Sequence, residues 1–399
     1  MQGTCESLGL TAVGAATPFG DMEAQLHAMA TVMAGGLTDF GPIDYQRGLK
    51  ELLSAMDAEL RCTEIGRMFA IGTVASTLAG RLHAEQGWRR RPESRLSAIR
   101  RPIVITGIPR TGTTALHKLL SMDPQFQGVE RWLTEAPQPR PPRAAWASNR
   151  WFQMTVAGLE QFYAAMPEMR KAHDMVADEV DECLEILRQD FVSNRFGSSM
   201  HVPAYDRWWR AQSELPSYRR YVDVLRLIGA DEPEKRWLLK NPGHVAQLDC
   251  LLEVMPDACI IQTHRRPDVA IPSLCSTLHM ARRMFEGDAA RADLLGPREI
   301  EYWSWAMEKT ALVRARKPDQ FHDVDHREFH RDPIAVVRRI YERFDLHLSN
   351  EAASRMQQWI AASPTTKHGE HLYDIADYGI SRYDVNVAFA AYIDRHSLA

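Results

Sequence analysis

Little in this chain suits a membrane, a disulfide scaffold or a nucleic-acid surface. No apolar run approaches the roughly 20 residues that span a bilayer as a helix. The opening residues, MQGTCESLGL, lack the basic start and long apolar core of a signal peptide, so a cytoplasmic protein that is not integral to a membrane is expected. The 6 cysteines form no C-x-x-C pair and the 15 histidines no H-E-x-x-H, so neither a disulfide framework nor a metal site is expected. Lys and Arg number 48 against 52 Asp and Glu; the net charge of -4 argues against nucleic acid as a partner. Repeats and low-complexity segments are missing too. What remains is an ordinary globular composition, 45% hydrophobic and 25% charged, in 399 residues that bury a large core.

The stretch that organises the chain is 101–120. Ile103-Val104-Ile105-Thr106 is an apolar, β-branched run that reads as a buried strand. Gly107 opens a turn through Ile108-Pro109-Arg110-Thr111-Gly112, and Thr113-Thr114-Ala115-Leu116 begins a helix. Strand, glycine-flanked turn and helix start make an anion cradle, because the turn N–H groups and the positive end of the helix dipole converge. The glycine spacing is that of a P-loop, but Thr113-Thr114 stands where a nucleoside triphosphatase carries Lys-Ser or Lys-Thr. The loop's cation is instead Arg110, before the second glycine. The residue that steers γ-phosphoryl transfer is therefore missing.

A second half-site lies downstream. Arg236-Trp237-Leu238-Leu239 reads as a strand ending in Lys240-Asn241-Pro242-Gly243-His244, followed by a helix over 245–254. Ala258-Cys259-Ile260-Ile261-Gln262-Thr263 is another strand, ending in His264-Arg265-Arg266-Pro267. In an open parallel sheet, ligands sit at the C-terminal ends of strands, so both polar clusters belong beside the Arg110 loop. Neither strand ends in the aspartate that holds Mg²⁺ in a P-loop nucleotidase.

Pro109-Arg110-Thr111-Gly112-Thr113-Thr114 resembles the 5′-phosphosulfate loop of sulfotransferases, which reads P-R-[ST]-G-T-T in many bacterial, mycobacterial-type members. The downstream pattern of Lys-Asn-Pro, helix, Pro-Asp-Ala, strand and Arg-x-Pro is similar to the same family. The resemblance runs in motif order over about 100–380. It implies an α/β fold of P-loop nucleotidase type, a central parallel sheet flanked by helices, with a helical region over 1–100 packed on a sulfotransferase domain over 101–399. It also implies 3′-phosphoadenosine 5′-phosphosulfate as co-substrate, held by Arg110, Thr111, Gly112, Thr113 and Thr114, with Arg265 and Ser273 on the 3′-phosphate. Arg266 stands where relatives often carry Asp or Asn, leaving open which of the paired arginines meets the phosphate. Lys240 matches a lysine that stabilises the transferring group, and Lys367 is a further candidate for the 3′-phosphate.

Transfer to a hydroxyl needs a proton acceptor. The resemblance points to the stretch His173-Asp174 through Asp181-Glu182-Cys183, with Glu182 or His173 as base; residue chemistry alone reads the same acids as a helix start obeying its dipole. The expected activity is sulfuryl transfer to a hydroxyl of a small-molecule, lipid or carbohydrate acceptor. The alternatives are a P-loop kinase-like phosphotransferase and a non-catalytic nucleotide-binding protein.

Elsewhere the sequence predicts mostly helix. Asp44 is placed as an N-cap for a helix whose Leu49, Leu52, Leu53, Met56 and Leu60 share a face, and another helix is expected over 63–86. A proline-rich irregular segment is expected over 121–150, then helices over 151–166, 176–191, 280–285 and 297–316. Tyr205, Trp208, Trp209, Tyr218 and Tyr221 either line a pocket for a greasy acceptor or anchor helix packing. Phe321-His322-Asp323-Val324-Asp325-His326 reads as an edge strand rather than a metal site.

Overall fold

The strands are β1 (Ile103–Gly107), β2 (Phe126–Gln127), β3 (Arg236–Lys240), β4 (Cys259–His264) and β5 (Phe321–Asp325). In this computed structural model, which describes residues 17–172, 174–362 and 374–398, they form one sheet in the order β2-β3-β1-β4-β5. Every pairing is parallel. β1 is central, and the chain fills its β3 side before crossing to its β4 side. That reversal is where open α/β sheets place ligands. Ile105 is in register with Lys240 and Gly107 with Thr263, so the polar strand ends align along one edge.

Pleating explains the two cores around the sheet. Ile103 and Ile105 face Leu116, Leu119, Val336 and Ile340. Val104 points the other way and packs with Leu239, Ile260, Tyr221 and Leu251. The fully buried central strands therefore read as continuous hydrophobic runs.

The helices that matter below are α1 (Glu23–Met33), α2 (Tyr45–Glu59), α3 (Glu64–Arg90), α4 (Thr113–Leu120), α5 (Arg150–Ala165), α6 (Leu184–Leu187), α7 (Leu215–Ile228), α8 (Leu248–Val254), α9 (Pro267–Glu286), α10 (Leu295–Arg316) and α11 (His326–Arg331). Leu49, Leu52 and Met56 of α2 share a third core with Ile271 and Cys275 of α9 and Tyr302 of α10. The N-terminal helices are thus built into the body of the chain.

Several local expectations change. Thr63 caps α3 by accepting from Gly66 N at 2.9 Å, but Asp44 makes no side-chain cap on α2. The helix expected over 176–191 shrinks to α6, because residues before it pair with another segment: Val180 bridges Glu130, and Asp181 N donates to Val129 O at 2.8 Å. The helix over 245–254 splits into a 3₁₀ turn, Pro242–Gln247, and α8. The short helix over 280–285 is the end of the much longer α9. β2, only two residues long, has no sequence signal strong enough to announce it. Tyr205, Trp209, Tyr218 and Tyr221 are buried packing anchors, which decides that alternative for these four.

Candidate active site

The loop between β1 and α4 has the backbone its sequence demands. Gly107 has φ 147°, and a Cβ there would lie 2.5 Å from Thr263 O, so β4 approaches too closely for any side chain. Gly112, at φ 95°, is the N-cap of α4 and offers no side-chain cap. Among the described residues, the first N–H groups of α4 therefore lack both intrahelical and side-chain acceptors, and an anion is their natural partner. Arg110 is held at φ 71°, a conformation costly for a residue with a Cβ and typical of ligand sites. Thr111 turns inward, donating to Ile108 O at 2.7 Å and meeting Thr263 Oγ1 at 2.5 Å, so its hydroxyl braces the loop.

The two arginine motifs converge as the topology requires. Arg110 Nε donates to Ser273 Oγ at 3.2 Å, and Arg265 donates from its guanidinium to Arg110 O at 3.0 Å. Arg266, the alternative partner, is engaged by both carboxylate oxygens of Asp268 at 3.0 and 2.9 Å. Geometry separates the pair: Arg265 joins the loop, and Arg266 braces the start of α9.

Lys240, at the end of β3, is almost fully buried and places Nζ 2.5 Å from Glu182 Oε1 and 3.3 Å from Thr114 Oγ1. Glu182 reaches this spot because its segment is sewn to β3: Cys183 N donates to Lys240 O at 2.9 Å. Extended backbone, not a helix, brings this acid to the sheet edge. Arg110, Thr113, Thr114, Glu182 and Asn241 line one cavity of about 180 Å³, which continues toward Trp303. His173 and Lys367 lie outside the described residues.

Sequence reading gave Phe321–His326 as an edge strand but did not place its end beside the anion loop. His326 begins α11 and lies 3.4 Å from where a Gly112 Cβ would stand; its Nε2 is 3.0 Å from His330 Nε2. Burial, and then Arg265 and His330, hold the His326 imidazole down to about 3. The available signal was topological, since β5 is a further parallel strand whose C-terminal end meets the same edge.

Among the described residues, His264, Asp323 and His396 bring ligand-type atoms within 4.8 Å of one another. Hydrogen bonds already engage two of them: His264 meets Tyr392 OH at 2.9 Å and Asp323 at 2.8 Å, and Asp323 pairs with Arg314. This network ties the C-terminal segment to β4 and β5. No helix among the described residues is long and apolar enough to cross a membrane.

The curated omega-hydroxy-beta-dihydromenaquinone-9 sulfotransferase Stf3 of Mycobacterium bovis is 26% identical over 307 residues, covering 74% of this chain and 72% of that protein. The crystal structure of sulfotransferase STF9 from Mycobacterium avium superposes with a TM-score of 0.86 over 96% of this chain and 98% of its own; at 24% identity it speaks for the fold. Sulfotransferase STF1 from Mycobacterium tuberculosis has a TM-score of 0.82 and 38% identity over 92% of this chain and 98% of its own. The profile described as the sulfotransferase family matches residues 102–350, well over half of the sequence. The chain belongs to the sulfotransferase family.

Proposed function

We propose that this sulfotransferase binds 3′-phosphoadenosine 5′-phosphosulfate across the Arg110–Ser273–Arg265 cluster and sulfates a lipid-like alcohol or phenol, with Glu182 as base. The observation that carries the reading is one cavity lined by the anion loop and by Glu182, whose carboxylate is paired with Lys240. The residues suit the donor: α4 presents uncapped N–H groups, and Arg110 and Arg265 supply charge for two phosphate groups. The donor contributes the activated sulfuryl group and leaves as the bisphosphate.

The protein's part follows from the ion pair. Lys240 holds the Glu182 carboxylate in place at the cavity wall. As Glu182 takes the acceptor's proton, the oxygen attacks sulfur and the bond from sulfur to the bridging oxygen breaks. Neutralised, Glu182 releases the charge of Lys240 to face the anion developing on the leaving oxygen. Fixed cations and N–H dipoles then stabilise the transition state without reorganising, so the reading assigns no metal. The lipid-like acceptor is suggested by the relative Stf3, whose name specifies a hydroxylated dihydromenaquinone.

Titration calorimetry of 3′-phosphoadenosine 5′-phosphate tests the donor site, with Arg265→Ala and ATP–Mg²⁺ as comparisons. Binding that is clearly weakened in Arg265→Ala and weak for ATP–Mg²⁺ is expected. Preference for ATP–Mg²⁺ overturns the reading in favour of a phosphotransferase.

A further inference from the structure

A larger cavity, about 430 Å³, lies on the other side of the segment that carries Glu182. Glu182, Leu184, Asn194 and Ser198 face the donor cavity, whereas Glu185, Arg188, Gln189 and Arg195 face the larger one. The two spaces thus share the wall formed by 182–189 and 194–198. Arg131 joins them further: it lines the larger cavity and pairs with Asp181, the neighbour of Glu182, at 3.0 Å.

One part of this cavity is apolar and adaptable. Met33, Met68, Phe69, Met154, Phe162 and Met284 line it, and unbranched methionine thioethers refit around ligands of varied shape. Helix α3 presents Gly72, Ser76 and Gly80 to it, one turn apart. A glycine inside a helix is destabilising relative to alanine. Gly72 meets no packing neighbour that requires it to be small: among the described residues, no atom beyond the helix's own backbone lies within 4 Å of where its Cβ would stand. Its missing side chain leaves open space.

The other part is polar and incompletely satisfied. Arg188 is 7% exposed and Gln189 1% exposed, yet Arg188 Nε and Gln189 Nε2 have no hydrogen-bond partner among the described residues. Both are donors, so what satisfies them carries acceptor oxygens. The surrounding charges already answer one another: Arg131 pairs with Glu135 and Asp181, while Arg188 and Arg195 pair with Glu185. A neutral ligand fits this balance better than an anion.

We infer that this cavity holds the body of the acceptor, a neutral apolar molecule bearing carbonyl or hydroxyl oxygens that Arg188 and Gln189 recognise. The inference rests on the sulfotransferase reading above and assigns the acceptor a binding surface separate from the donor loop.

The test uses 2-methyl-1,4-naphthoquinone as probe, with 2-methylnaphthalene as its counterpart lacking oxygens. Calorimetry on the full chain is run in parallel with titration of 3′-phosphoadenosine 5′-phosphate. The quinone is expected to bind, the hydrocarbon at least fivefold more weakly, and Gly72→Leu to weaken the quinone at least tenfold while bisphosphate affinity is kept. Met154→Glu, at a rim position that is 46% exposed, is expected to weaken the quinone as well and decides the matter if Gly72→Leu does not fold. No quinone binding by wild type, or equal binding in a variant that retains bisphosphate affinity, overturns the inference. Equal affinity for the hydrocarbon overturns the assigned role of the two donors. Loss of bisphosphate binding by wild type would instead strike the donor reading, and the quinone comparison would still decide the cavity.

Discussion

Lys240 Nζ stands 2.5 Å from Glu182 Oε1, joining the end of β3 to a segment 58 residues away in sequence. The lysine side chain is 2% exposed and the glutamate 21%, so the pair is sheltered on one side and open to the cavity on the other. This arrangement makes Glu182 the base to test first. Glu182→Gln is expected to lower kcat by about 10²–10⁴-fold, the usual range for a general base. Affinity for the bisphosphate should hold or rise, since a negative charge is removed beside an anion site. Single-turnover kinetics with calorimetry checks this. A kcat within a few-fold of wild type would transfer the role to His173, tested by His173→Ala.

The paired arginines should separate cleanly. Arg265→Ala removes a cation joined to the loop and is expected to weaken the bisphosphate by about 1.5–3 kcal/mol, typical of hydrogen bonds to charged groups. Arg266→Ala removes a partly exposed pair with Asp268, and such pairs contribute about 0–1 kcal/mol. Calorimetry on both variants is the check. Equal losses would mean that Arg266 shares the phosphate.

Gly107→Ala tests the loop's backbone independently of charge. With φ at 147° and Thr263 O 2.5 Å from the new Cβ, β1 and β4 cannot both keep their positions. The loss should exceed the roughly 1 kcal/mol that such substitutions cost where the conformation is incompatible. Denaturant titration measures it, and an unchanged midpoint would refute the close approach.

Acid sensitivity should come from buried neutral histidines. Burial pushes His117 and His244 down to about 3, with nearby Lys240 adding to the effect on His117. Unfolded, each would titrate near its ordinary 6.5. The unfolded chain therefore takes up protons first as pH falls, so their stabilising effect is complete above about 6.5 and is lost progressively toward 3. Each contributes a slope of up to about 1.4 kcal/mol per pH unit in that window. Unfolding free energy measured between pH 7 and pH 4 checks the sign; a flat profile for the wild-type chain, or no flattening in His244→Gln, would contradict it.

Much of the donor site was legible because its signals are local. A β-branched run, glycines where φ is positive and an arginine in the turn identify the anion loop without reference to distant residues. Parallel topology then carries Lys240 and Arg265 to the same edge, since strand ends must align once the strands are in register. The order of β1, β3 and β4 could therefore be used before any contact was known.

The sequence by itself determined the anion loop, the strand ends and the helical character of residues 17–100, because each follows from backbone preference or hydrophobic period. Tertiary structure alone decided the rest. Acidic residues before α6 suit a helix start, yet pairing with Val129 and Glu130 draws them into an extended strap that sets Glu182 on Lys240. The aromatic residues that suggest a pocket are mostly spent on cores, and the open cavity is lined by methionines and a helix glycine. Only the packed chain shows which side chains face empty space, because that depends on every neighbour at once.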